Sequence, residues 1–100
     1  MKPMKYFVDT HDHRSGTFPN GIAKGEFAAF FAHYEKAARE QDVLVLRAHV
    51  GLGDGRAFCF CAAGDAEAVR RAHEQAGLAF DSITEVTTVT PGDLDFAPCL

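Results

Sequence analysis

The sequence predicts an α+β protein, a ferredoxin-like βαββαβ sandwich whose four-stranded antiparallel sheet carries two helices on one face. Four β-rich segments and two segments with helical hydrophobic spacing follow one another in that order. Right-handed crossovers bring both helices to the same side of such a sheet. The length of 100 residues fits a single domain, with an ordered core expected at about residues 5–90 and a tail at 91–100.

The first strand is predicted from Lys5 to Asp12, where apolar and polar side chains alternate. Residues 13–21 are rich in turn-forming types and predict a loop. The loop is long by the usual standards of connections, and long ordered loops are often functional. We therefore expect this end of the strand to carry chemistry.

The first helix is predicted from Lys24 to Gln41. Its apolar side chains recur at the i, i+3, i+4, i+7 spacing of one buried stripe. That stripe consists of Phe27, Phe30, Phe31, Tyr34 and Ala38.

A hairpin follows, with strands from Val43 to Val50 and from Arg56 to Ala62 joined by a glycine-rich turn at 51–55. Asp65 is expected to cap a second helix that ends at Gly77. The inner face of that helix is expected to hold Ala66, Val69, Ala72 and Ala76.

The last strand is predicted from Ile83 to Thr90, before Pro91. Its phase has two solutions, because Ile83, Glu85, Thr87 and Val89 compete with Val86 for the inner face.

The side of the sheet that each strand residue faces depends on the hairpin register. If Val50 pairs with Arg56, one set of side chains is apolar enough to face the helices; it comprises Leu44, Leu46, Ala48, Val50, Phe58 and Phe60, joined by Tyr6 and Val8. The open face then holds Phe7, Asp9, His11, Val45, Arg47, His49, Ala57, Cys59 and Cys61. A slip of one residue would invert this assignment.

An open face with this mixture is too apolar to remain in water. We therefore expect a homodimer in which two sheets stack as a dimeric α/β barrel around a partly polar cavity that could hold a small molecule. Arg47, Cys61 and Glu85 are expected to line that cavity. Arg47 would pair with Asp9 or Glu85, or else capture an anionic ligand.

The overall charge excludes some partners. The net charge of −4 argues against nucleic acid, because that affinity comes largely from Lys and Arg. Neither a secretion signal nor a membrane span is expected from the hydropathy pattern, which predicts a cytoplasmic protein with reduced thiols. Cys59 and Cys61, two apart on one strand, are poorly placed for a disulfide.

The sharpest functional pattern is the run from Asp9 to His13. Strand alternation places Asp9, His11 and His13 on one face, and His49 could add a third imidazole. Imidazole and carboxylate ligands suit zinc, nickel, copper or iron. The pattern predicts a metal site at these four residues, and the alternative is that they are solvated surface side chains.

Two further residues are weaker candidates. Cys59 could join the site as a thiolate, although a small buried apolar role is the simpler interpretation. His73 is expected at the surface or boundary of the second helix, and His33 is expected to face solvent.

Four stretches resemble the signature of a small bacterial nickel-binding family with a ferredoxin-like fold. They are Cys59 to Asp65, Ala68 to His73, Ala76 to Leu78 and Ile83 to Val86, and the resemblance extends roughly from Tyr6 to Thr90. It implies a dimer that binds nickel through histidine and acidic side chains. Cys59 and His73 lie within the matching stretches, so the resemblance favours them.

The first hypothesis is therefore a small metal-binding protein that is not an enzyme, with nickel implied by the resemblance and zinc as the alternative ion. The second is a cofactor-free, monooxygenase-like enzyme that acts on a small molecule in the sheet cavity. The third is a dimerisation module without a ligand. No phosphate-binding loop, dinucleotide fingerprint or nucleophile elbow is present in the sequence.

Overall fold

The computed structural model describes residues 3–95 of the chain. Four strands, β1 to β4, span Lys5–Asp12, Leu44–Gly51, Arg56–Ala63 and Ser82–Val86. Two main helices, α1 and α2, span Lys24–Glu40 and Ala66–Ala76, and a short helix α3 spans Pro91–Asp95. A single 3-10 turn at His13–Ser15 follows β1. The third cysteine of the sequence, Cys99, which we expect to be solvent-exposed in the tail, lies outside the described residues.

The four strands form one antiparallel sheet in the order β2-β3-β1-β4. The predicted α+β class, with a four-stranded antiparallel sheet and packed helices, is confirmed. Residues of α1, such as Tyr34, and of α2, such as Val69, share one apolar core with Phe7 of β1 and Cys61 of β3. Strands β1 and β3 are the two central strands, so side chains on their inner face are the most deeply covered.

The termini of α2 follow the sequence prediction. The Asp65 carboxylate accepts the backbone N–H of Ala68 at 2.9 Å, which satisfies one of the free donors of the first turn. Gly77 ends the helix in the left-handed conformation, with a φ of 72°. At the start of α1 the Glu26 side chain accepts the N–H of Ala23 at 3.1 Å, although Ala23 itself has no capping group.

The assignment of side chains to the two faces was wrong by one residue along β1 and β3. Phe7, Asp9 and His11 are buried on the side of the helices, whereas Tyr6 is 53% exposed. In β3 the side chains of Ala57, Cys59 and Cys61 are buried on that side, and the two phenylalanines between them are only partly buried. In β3, small side chains lie beneath the helices because they allow close helix–sheet packing, and the two phenylalanines lie on the open face.

A β-bulge explains why no single parity describes the hairpin. Leu44 pairs with Ala62 and Val45 with Cys61, but the register shifts between Val45 and Arg47. Leu46 is the extra residue, and a bulge places two successive side chains opposite one partner. Leu44 and Leu46, which were predicted against the helices, are 53% and 43% exposed.

Beyond the bulge, Ala48 and Val50 are half-buried while His49 is exposed, so this part of β2 keeps the predicted outward position of His49.

The predicted stripe of α1 is only partly buried. Tyr34 and Ala38 are in the core, but Phe27 and Phe31 are half-buried and Phe30 is 44% exposed.

A second, smaller apolar cluster lies at the other end of the same face. It joins Phe18 and Ile22 of the loop after β1 to Ala57, with Phe27 packed against them. The loop therefore folds back beneath the first turns of α1. Among the helices of residues 3–95, none is long and apolar enough to cross a membrane.

Candidate metal centre

Asp9 is the centre of a polar cluster between the sheet and α2. Its position in the middle of β1 faces the helices, and its exposed fraction is 0%. The Oδ1 atom receives two hydrogen bonds, one from His11 Nε2 at 2.7 Å and one from His73 Nε2 at 3.1 Å. A buried carboxylate needs such partners, since removing a charge from water is costly unless the charge is paired.

The two histidines reach Asp9 from different elements. His11 follows Asp9 by two positions on β1, so strand alternation puts both on one face. His73 lies on the inner side of α2 and is 1% exposed. The two imidazole rings stack with their centroids 5.5 Å apart.

Backbone carbonyls fix the orientation of both imidazoles. The Nδ1–H of His11 donates to the carbonyl of Ala79 at 2.8 Å, and the Nδ1–H of His73 donates to the carbonyl of Val69 at 2.9 Å. A carbonyl can only accept, so each Nδ1 carries a proton. Both Nε2 atoms are thereby directed at the same carboxylate oxygen.

The ring of His73 is further held by aromatic neighbours. Its centroid lies 4.5 Å from the ring of Tyr34 and 5.0 Å from the ring of Phe80. These contacts come from α1 and from the segment before β4. With the contacts to Asp9 and His11 of β1, the imidazole is therefore confined by three parts of the chain in addition to its own helix.

Burial raises the pKa of Asp9, but the hydrogen bonds from His11 and His73 and their charge outweigh it, and the pKa lies below its usual value. For His11, burial lowers the pKa, yet the hydrogen bond to Asp9, its negative charge and the Ala79 carbonyl raise it above the usual value. The cluster therefore favours an ionised carboxylate beside a charged imidazole. A metal cation in place of the protons would satisfy the same carboxylate.

Two polar atoms near this cluster lack hydrogen bonds. Within the described part of the chain, Asp9 Oδ2 and the hydroxyl of Tyr34 are the buried side-chain atoms without a partner. Buried polar groups are rarely left unpaired in folded proteins. A metal ion bound to Asp9 would give Oδ2 the partner that it lacks.

Cys59 lies directly opposite Asp9 on β3. Burial, the Asp9 charge and Cys61 together raise the pKa of the Cys59 thiol, and burial with the Asp9 charge raises the pKa of Cys61 to about 12. Both cysteines are free and buried. Without a metal they are neutral thiols packed as small apolar groups.

The structure brings together only part of the residue set predicted for the metal site. Asp9, His11 and His73 form a cluster whose ligand atoms all lie within 4.8 Å of one another. His13 falls outside it, because β1 ends at Asp12 and the 3-10 turn breaks the alternation. The backbone N–H of His13 donates to the backbone carbonyl of Gly55 at 2.9 Å, which holds this turn against the β2–β3 hairpin.

His49 lies on the opposite face of the sheet from Asp9. Its ring meets the edge of Phe60 with the centroids 5.5 Å apart. Arg47 is on that face as well, with its guanidinium 4.6 Å from the centroid of Phe60. The predicted pairing of Arg47 with Asp9 is therefore wrong.

The three residues predicted to line one cavity are also divided between the faces. Cys61 is 1% exposed and belongs to the core beneath the helices. Glu85 pairs with Phe7 in the sheet, and its carboxylate lies 3.9 Å from the ammonium of Lys5. Arg47 is on the other side of the sheet, so these side chains share no cavity.

His73 was expected at the surface or boundary of the helix and only as a weaker candidate ligand, whereas it is fully buried. A signal for burial was present, since Val69, His73 and Ala76 follow the i, i+4, i+7 spacing of one helical face. Histidine at such a position looks like a boundary residue until a buried carboxylate opposite it is identified. His33, as expected, is exposed, and its Nε2 contacts the carbonyl of Ala76 at 2.9 Å.

Comparison with known proteins gives two matches. Residues 7–86 match the profile of the SCO4226-like family, which is described as "Nickel responsive protein SCO4226-like". The crystal structure of SCO4226 from Streptomyces coelicolor A3(2) superposes with a TM-score of 0.73 at 27% sequence identity, covering 85% of this chain and 99% of that one. No curated protein matches the chain.

Proposed function

Because the chain belongs to the SCO4226-like family of nickel-responsive proteins, we propose that it binds a divalent metal ion through Asp9, His11 and His73. Nickel is the first candidate, and zinc is the second. The observation that carries the proposal is the convergence of two carbonyl-anchored imidazoles on one carboxylate oxygen.

The orientation of the imidazoles supports this function. Histidines that bind metals commonly donate the other ring N–H to a carbonyl or carboxylate, which fixes the tautomer and the direction of the ligand atom. His11 and His73 both have this arrangement, with Nδ1 bound to a carbonyl and Nε2 facing the cluster. Imidazole and carboxylate are ligands that suit nickel and zinc.

The distances from both imidazoles to Asp9 Oδ1 are close to those around a bound ion, and all the ligand atoms lie within 4.8 Å of one another. Metal–ligand bonds of about 2.1 Å separate neighbouring ligand atoms by roughly 3.0–3.4 Å. His73 Nε2 is already 3.1 Å from Asp9 Oδ1, and His11 Nε2 at 2.7 Å has only to move back slightly. The ion would replace the Nε2 protons, and Asp9 Oδ2 is available as a fourth ligand atom.

The test is a calorimetric titration of the untagged, EDTA-treated protein with Ni²⁺ and Zn²⁺. We expect one ion per chain in the parent. His11→Gln and His73→Gln should each weaken binding by on the order of 100-fold, since each removes a direct ligand. Circular dichroism of the metal-free variants establishes that they are folded.

His49→Gln and His13→Gln are the matched controls, because neither side chain is in the cluster. Both should bind the ion as the parent does. Loss of binding in these two variants, with full binding in the His11→Gln and His73→Gln proteins, would overturn the assignment and place the ion elsewhere.

We also propose that the fold is the ferredoxin-like one and that two copies stack their open sheet faces as an α/β barrel. The β-α-β-β-α-β succession and the central β1–β3 pair support the fold. Tyr6, Leu44 and Leu46 support the dimer, since all three are exposed on the open face. A cytoplasmic location, where Cys59 and Cys61 stay reduced, is proposed with it.

The enzyme alternative has less support from the cluster. A general base needs a free lone pair directed at substrate. Each ring nitrogen of His11 and His73 is occupied by Asp9 or by a backbone carbonyl.

A further inference from the structure

A cavity of about 80 Å³ lies between the first half of α1 and the sheet, beside the polar cluster. It is open to solvent on one side. Its apolar walls are Phe18, Pro19, Ile22, Phe27, Phe31 and Leu78. His11 and His73 contribute ring surface at its inner end.

The cavity exists because α1 is not packed against the sheet along its whole length. Tyr34 and Ala38, in the second half of the helix, are in the main core, whereas Phe27 packs on the separate cluster of Phe18 and Ile22. Phe30 lines the gap and remains 44% exposed. Protein interiors are close-packed, so an apolar gap of this kind leaves favourable contacts unmade.

Apart from the hydroxyl of Tyr34, which lines the cavity without a hydrogen bond, the polar side chains discussed here have partners within the protein. The imidazole nitrogens of His11 and His73 bind Asp9 or backbone carbonyls. The Thr17 hydroxyl accepts the N–H of Asp12 and donates to Asp81. Among the described residues, no lysine or arginine lines the cavity. An anion or a sugar would therefore lose its hydration with only the Tyr34 hydroxyl left to replace it.

We propose that this cavity is a binding site for a small uncharged apolar molecule, a single aromatic ring in size, which packs between the phenylalanines of α1 and the ring of His11. An enclosed apolar cavity of about 150 Å³ holds benzene or xenon. The present cavity is smaller but open, so a ring enters with one edge in solvent. The site does not depend on a bound ion, although His11 and His73 belong to both sites.

The test uses the metal-free, full-length, ¹⁵N-labelled protein titrated with toluene, indole and benzoate. Toluene and indole should give saturable amide shifts centred on the residues that line the cavity, with nuclear Overhauser contacts from toluene to Ile22 and Phe27. Benzoate has the same ring with a charge, and it should not bind.

Ala79→Leu fills the edge of the cavity, because Ala79 is exposed there while its carbonyl still holds His11. It should weaken toluene binding by at least roughly tenfold. Ala29→Leu is the matched control, since Ala29 is exposed and on the other side of α1, and it should bind as the parent does.

Absence of saturable shifts in the parent, equal affinity of the Ala79→Leu protein, or equal affinity for benzoate would each overturn the proposal. A crystal pressurised with xenon locates the apolar site in the parent and does not depend on any variant. Xenon between Phe27 and His11 supports the site, and xenon bound only elsewhere contradicts it. All arms use metal-free protein, so their outcome is independent of the proposed metal function.

Discussion

Nε2 of His73 lies 3.1 Å from Oδ1 of Asp9, a contact that joins α2 to the central strand β1 across 64 positions of the chain. The hydrogen bond is buried at both ends, with exposed fractions of 1% and 0%. Together with His11, these residues form a cluster of three buried polar side chains where a small domain would ordinarily have only apolar ones. The stability of the metal-free protein should therefore depend on this cluster.

Asp9→Asn should destabilise the metal-free protein by about 3 kcal/mol. The substitution removes the charge that both imidazoles face, and removing one partner of a buried pair leaves the others uncompensated. Urea unfolding in EDTA measures the change. A loss below about 0.5 kcal/mol, typical of surface positions, would show that the cluster is not the energetic centre of the core.

The stability of the metal-free protein should decrease as the pH rises above about 6.5. The pKa of His11 is raised in the folded state, so its contribution is complete below the unfolded value and is lost as the pH passes the folded value. The pKa of Asp9 is lowered, so its contribution is present above about 3.8 and is lost at lower pH. The cluster thus contributes most between these two values.

Urea unfolding at pH 5.5 and pH 8.5 checks this dependence, with His11→Gln as the comparison. The parent should lose more stability between the two pH values than the variant does. An equal loss in both proteins would mean that His11 is not the titrating group.

Nickel should raise the melting temperature if the cluster binds it. A free ion concentration of 100 times the dissociation constant stabilises a folded protein by about 2.7 kcal/mol. For a domain of this size that corresponds to an increase of roughly 10 °C or more. Differential scanning calorimetry with Ni²⁺, and with Mg²⁺ as the hard-cation control, makes the measurement. The same increase with Mg²⁺ would argue against an imidazole site.

Gly55→Ala should destabilise the protein by about 1–2 kcal/mol. Gly55 has a φ of +66°, and an added Cβ would lie 2.4 Å from Cδ2 of His13. Gly53→Ala in the same turn is the control, because nothing lies within 4 Å of its added Cβ. Comparable effects from the two substitutions in chemical denaturation would contradict the strained position of Gly55.

Leu44→Lys combined with Tyr6→Lys should convert a dimer into a monomer. Both side chains are exposed on the open face, where lysines would oppose the stacking of two sheets. Light scattering should give about twice the chain mass of 10.9 kDa for the parent and a single chain mass for the variant. A parent that is monomeric at micromolar concentration would sink the proposed dimer.

The element order could be predicted from the sequence because hydrophobic periodicity and turn residues are local signals. The cap at Asp65, the stop at Gly77 and the turn at 51–55 all lie where those signals place them. The α+β class followed from the same local patterns, and the family from the resemblance of four stretches to its signature.

Which side chains of β1 and β3 face the helices could not be predicted, because both faces of the sheet carry apolar side chains. Phe58 and Phe60 outweigh Ala57 and Cys59 in hydrophobicity, yet the small side chains lie under the helices. The bulge at Leu46 also changed the parity within β2, and nothing local marks it. Size complementarity between sheet and helices decided the phase, and it depends on contacts distant in the sequence.

For the same reason, only two of the three residues in the metal cluster could be brought together from the sequence. Asp9 and His11 share a face through strand alternation alone, whichever face it is. His73 comes from α2, and only the packing of that helix on β1 brings it to the carboxylate. His49 is near in the sheet but on the wrong side, a difference of one residue in phase.

The hydroxyls of Ser15 and Thr17 both donate to Asp81, at 2.7 Å and 2.9 Å, and so tie the loop after β1 to the segment before β4. Asp9, on the strand that precedes this loop, has no exposed surface. An ion can reach or leave the carboxylate only while the surrounding chain is locally open, and such openings occur on timescales from microseconds to seconds. The exchange rate of the ion is then governed by the frequency of opening, so that an ion held with modest affinity would still be released slowly.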